Sequence, residues 1–102
     1  MKISKSLLPL LNQIGLTIEM DINKLISEGI KSLLLQKQNV LKIDKLCLLS
    51  KYGNISKNEL ENRIQSGEIA EHPAWEDVIF LENIDSELEK LDEYIENISK
   101  TT

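Results

Sequence analysis

The stretch EHPAWEDVIFLENIDSELEKLDEYIENI, residues 71–98, decides the fold. Leu81, Ile84, Leu88, Leu91, Ile95 and Ile98 recur in it at steps of three and four. Such spacing lines one face of an α-helix with apolar side chains. With Leu81, Leu88 and Ile95 at the a positions of a heptad, Ile84, Leu91 and Ile98 take the d positions. The flanks then carry Asp85, Glu87, Asp92 and Tyr94, with no lysine to answer the acids. A parallel pairing of two such helices would set like charges against each other. Two companions fit better: an antiparallel helix of the same chain, or a basic groove on another protein.

The rest of the sequence supplies the first of these. Asp21 is a good N-cap for a long helix from Ile22 to about Tyr52, closed by Gly53 or Asn54. Ile26, Leu33, Val40 and Cys47 repeat there every seven residues, and Leu34, Leu41 and Leu48 are read as flanking them on one face. Lys31, Lys37, Gln38, Asp44, Lys45 and Lys51 are expected largely opposite, and Lys37, Lys42 and Lys45 are placed to meet an acidic neighbour. Ser56 and Glu59 form a capping box that opens a short helix with Leu60 and Ile64 inward and Gly67 as its stop. Pro73 suits the first position of the last helix, and Trp75, Val78, Ile79 and Phe80 gather at its start. Before all this, Ser6 caps a short helix LLPLLNQI that Gly15 ends, and LTIEM reads as extended chain or turn. The expected fold class is all-α: a long helical hairpin with a short helix in the connection. Its regions are residues 1–52, basic, and 53–102, acidic.

Charge sharpens that division. Residues 1–58 hold nine lysines against four acids, net +5, and residues 59–102 hold three cations against thirteen acids, net −10. The acidic part should repel nucleic acid and favour a basic surface. Neutralisation of one part by the other within the fold is the competing explanation.

Catalytic constellations are lacking. His72 is the one histidine and reads as the residue leading into the last helix; Cys47 is the one cysteine and reads as a small hydrophobe on an apolar face. The four glycines, at 15, 29, 53 and 67, are too far apart for a phosphate loop. A non-enzymatic protein without cofactor or metal is therefore expected. No run of about 18 apolar residues offers a membrane span, and MKISKSLLPLLNQIGL lacks a small-x-small cleavage site, so a cytoplasmic location is expected.

Residues 24–91 resemble small prokaryotic antitoxins of type II toxin–antitoxin modules, of the archaeal type. The resemblance rests on KLISEGIKSLLLQKQ (24–38), LLSKYGNISKNELENRI (48–64) and GEIAEHPAWEDVIFLENI (67–84). The first piece is also similar to the second helix of a ribbon-helix-helix unit, a dimeric DNA-binding fold that many antitoxins use. Here that element is degenerate: MKISKS is a brief ribbon, and GLTIEMD is a longer connection than the fold prefers. The resemblance implies a cognate toxin with a basic surface as partner, a homodimer through the long N-terminal helix, and DNA contacts from Lys2, Ser4 and Lys5. On the last helix, Trp75, Phe80, Leu81, Ile84, Leu88 and Leu91 are the expected anchors for the toxin. Glu76, Asp77, Glu82, Asp85, Glu87 and Glu89 form the expected acidic rim. The alternatives are a helical structural adaptor that oligomerises through the C-terminal seam, and a DNA-binding regulator that uses the basic N-terminal part.

Overall fold

The computed structural model describes residues 5–101. Its helices are α1 (Leu7–Thr17), α2 (Ile22–Ser50), α3 (Lys57–Gln65) and α4 (Glu71–Thr101), and no strand occurs among the described residues. The all-α hairpin read from the sequence is the fold. The ribbon expected of MKISKS falls mostly on residues 1–4, outside the described residues, as do Lys2 and Ser4. Lys5 is exposed in the turn that leads into α1.

Local chemistry sets the boundaries. Asp21 is extended and accepts a hydrogen bond from the Lys24 amide at 2.8 Å, capping α2. Ser56 does the same for α3, accepting from the Glu59 amide at 3.1 Å. Gly53 and Asn54 both have positive φ, and the Asn54 amide returns to the Leu49 carbonyl, turning the chain out of α2. Gly67, at φ 82°, ends α3. In α4, His72 has non-helical torsions and its bond to Pro73 is cis, so regular helix begins at Pro73.

Gly15 departs from expectation: α1 runs through it to Thr17. The glycine is buried, and the Met20 amide donates to its carbonyl at 2.7 Å where the chain reverses toward α2. A Cβ at Gly15 would stand 2.4 Å from the Met20 carbonyl oxygen. The position serves close approach of two backbone segments and does not stop the helix.

Helices α2 and α4 form an antiparallel pair. Gln38 donates to Asp92 at 2.5 Å, Lys45 to Asp85 at 2.6 Å, and Tyr52 to Asp77, so partners descend along α4 as they ascend along α2. Two clusters fill the seam. Leu48, Leu60, Ile64, Ala74, Val78 and Leu81 pack where α3 caps the closed end of the hairpin. Leu41, Ile84 and Leu91 continue along it, with Leu34 and Leu88 against them. The molecule is a rod of 62 × 24 × 22 Å with a radius of gyration of 20.2 Å. A globule of this length would have about 13 Å.

Candidate partner-binding surfaces

At 100° per residue, each long helix has an inner face on its neighbour and a flank to either side. The inner face of α4 takes Leu81, Ile84 and Leu91, with Leu88 half-buried. Leu81 has no exposure at all. Four of the six expected anchors therefore lie in the seam with α2 and are not presented at the surface. Trp75 is half-buried against the closed-end cluster. Of the six, only Phe80 is exposed, at 51%.

The acidic rim divides likewise. Asp85 pairs with Lys45, and Glu82 lies 3.7 Å from Lys57. Asp77 accepts from the Tyr52 hydroxyl, and Glu76 sits 2.7 Å from His72 Nδ1. Among the described residues Glu87 and Glu89 have no cation within ion-pair distance, and Glu93 shares that condition. Glu93 belongs to the surface although the sequence reading left it out; its signal was its place four residues beyond Glu89 on one helical face.

Two flanks result, of opposite character. On one, Lys45 and Gln38 of α2 tie down Asp85 and Asp92 of α4, and Glu82, Glu89 and Glu93 stand outside that line. On the other flank, α2 shows Leu33, Val40 and Cys47 and α4 shows Phe80 and Tyr94, all exposed. The two apolar series of α2 thus do not share a face. Leu34, Leu41 and Leu48 turn inward, while Leu33, 65% exposed, leads the outward series. Cys47 is accordingly exposed where a buried hydrophobe was expected. Gln38, expected on the outer side, is buried. Val78 alone of the apolar group at the start of α4 is fully enclosed, and Ile79 is exposed with Phe80.

Near the closed end, Asp44, Cys47, Leu48, Lys51, Asp77 and Phe80 line an open groove of about 470 Å³. Tyr52 donates its hydroxyl to Asp77, one of these lining residues. Burial, the hydrogen bond to Asp77 and the charges of Asp77 and Glu76 push its hydroxyl up to about 12, so it remains a donor throughout the neutral range. Among the described residues no group of three or more His, Cys, Asp or Glu is placed to hold a metal ion, and no helix is long and apolar enough to cross a membrane. The hairpin thus presents two exposed flanks, one dominated by carboxylates and one by apolar side chains.

A family model described as the uncharacterized protein MJ0235 family matches residues 1–102. No curated protein and no solved structure matches the chain.

Proposed function

The chain belongs to the uncharacterized MJ0235 family; from the surfaces of its hairpin we propose that it is a non-enzymatic binding protein whose acidic α4 flank docks on a basic protein. One observation carries this reading: folding leaves acid over. Helix α4 holds ten acidic residues against two lysines. Its pairing with α2 satisfies Asp85 and Asp92 and leaves Glu89 and Glu93 without a cation among the described residues. Unanswered carboxylates at one-turn spacing on a rigid helix attract and orient a basic surface.

The antitoxin form of the reading, with a basic toxin as the partner, rests on the sequence resemblance. In it the docking surface shifts from the buried ridge to the rim: Glu82, Glu89 and Glu93, with Ile79 as a neighbouring exposed apolar contact. The DNA-binding alternative has no comparable support among the described residues, where Lys5 is the only expected DNA contact.

The test is co-purification of the tagged full chain from its own cells, with Glu89→Lys/Glu93→Lys alongside. One small basic protein should accompany the wild-type chain and be lost from the variant. Expressed alone it should arrest growth, and co-expression of this chain should relieve the arrest. A partner retained by the variant, with an association rate indifferent to salt, would refute the acidic-flank reading. A harmless partner would refute only the antitoxin form.

A further inference from the structure

The greasy flank lies away from the acidic one and needs its own account. Leu33, Val40 and Cys47 keep a strict seven-residue spacing along nearly four turns of α2, and all three are exposed. Phe80 and Tyr94 continue the surface onto α4, with the groove between Cys47 and Phe80 joining the two helices. Heptad spacing on an outward face is the pattern of a helix packed on another helix. A two-helix layer with one such flank is half of a four-helix bundle.

We propose that this flank is a self-association surface, on which a second copy of the chain packs with its α4 over this chain's α2. Charge selects both the occupant and the arrangement. Two flanks can meet face to face about a two-fold axis in two ways. With the axis across the helices, α2 lies on α2 and α4 on α4, which sets two helices of ten acids and two lysines against each other. With the axis along the helices, each α2, carrying five lysines and two acids, lies on the other copy's α4. Every helix then has antiparallel neighbours of opposite charge.

A rotation about that axis preserves level along the rod, so the register within one hairpin also tells what faces what between copies. The pairs 38–92 and 45–85 put Lys51 level with residue 79 and Lys37 level with residue 93. Lys51 is then about 4.5 Å along the axis from Glu76 of the second copy, and Lys37 about 9 Å from Glu87, spans that long side chains bridge. Among the described residues neither lysine has an ionic partner within its own chain, and neither does Glu87. Two like-charged encounters offset part of this: Asp44 lies one residue off the level of Glu87 of the second copy, and Lys37 lies about 4.5 Å along the axis from its Lys90.

Sedimentation of the full chain over a wide concentration range tests this. The wild-type chain should pass from monomer to dimer, more weakly at high salt. Leu33→Lys/Val40→Lys, at two exposed positions where helix content should not change, should abolish the dimer. Lys37→Glu/Lys51→Glu should weaken it about tenfold. Adding Glu76→Lys/Glu87→Lys in the same chain should restore it, because each reversed α2 then meets a reversed α4. A wild-type chain monomeric at every concentration overturns the proposal. A fourfold variant as weak as the double one overturns the α2-over-α4 arrangement. Either result leaves the acidic-flank reading standing, since that reading turns on Glu89 and Glu93.

Discussion

Replacing Leu81 with alanine should cost about 2–5 kcal/mol. Leu81 has no exposure and sits where α3 meets the hairpin, so neighbours on three helices would have to collapse to fill the space. Urea denaturation of the two proteins measures the difference; a loss below about 1 kcal/mol would mean that the cluster relaxes freely. Gly15→Ala tests a different kind of contact. Its new methyl group would press on the Met20 backbone carbonyl, which no rotamer change relieves. Amide exchange in residues 7–20 should accelerate, with α3 and α4 unaffected; unchanged protection would show that α1 does not need the close approach. Tyr52 offers a pH handle. Its folded pKa, about 12, exceeds the unfolded 10.0. The unfolded chain therefore loses this proton first as pH rises. The stabilisation is whole below pH 10 and fades through pH 12. The gap in melting temperature between wild type and Tyr52→Phe should close over that interval. A gap constant across it would deny the coupling. Neither Tyr52 nor Gly15 was legible for its role, because both depend on what another segment brings within a few ångströms.

At the scale of elements, the legible features were those that helices declare locally. Asp21, Ser56, Gly53, Asn54, Gly67 and Pro73 mark their ends by their own backbone and side-chain chemistry, and each stands where that chemistry placed it. Ser56→Ala should cost about 1 kcal/mol by removing the acceptor for the Glu59 amide; thermal melting checks it, and replacement by aspartate should be nearly silent. The orientation of α2 was not legible in the same way. Its series 33–40–47 and 34–41–48 are one residue apart, hence 100° apart, and both keep seven-residue spacing. Periodicity alone cannot choose between them. The polar companions can: Gln38 and Lys45 each lie four residues beyond Leu34 and Leu41, and they meet Asp92 and Asp85 at the edge of the seam. The inward face of α2 is the one that acid on α4 can reach. The same fact explains why the ridge of α4, apolar as it is, lies within the chain: α2 matches it in length, direction and edge charge.

For the whole molecule, the ratio of surface to core sets the expectation. Among the described residues nine hydrophobic ones are buried, while fourteen large ones are exposed, among them Leu33, Val40, Phe80 and Tyr94. A rod 62 Å long and 24 Å wide spreads its contacts along one seam instead of gathering them in a globule. Such a chain gains most from whatever covers its flanks, because any species that binds only the folded form raises stability by mass action. If a second copy is that species, the melting temperature must rise with protein concentration. Each tenfold increase should add about 1.4 kcal/mol per mole of dimer above the association threshold. Leu33→Lys/Val40→Lys should melt at one temperature whatever its concentration, matching dilute wild type. Scanning calorimetry over a concentration series gives both curves. A wild-type melting temperature that does not move with concentration would mean that the hairpin seam alone determines stability, and the greasy flank would then contribute nothing through self-association.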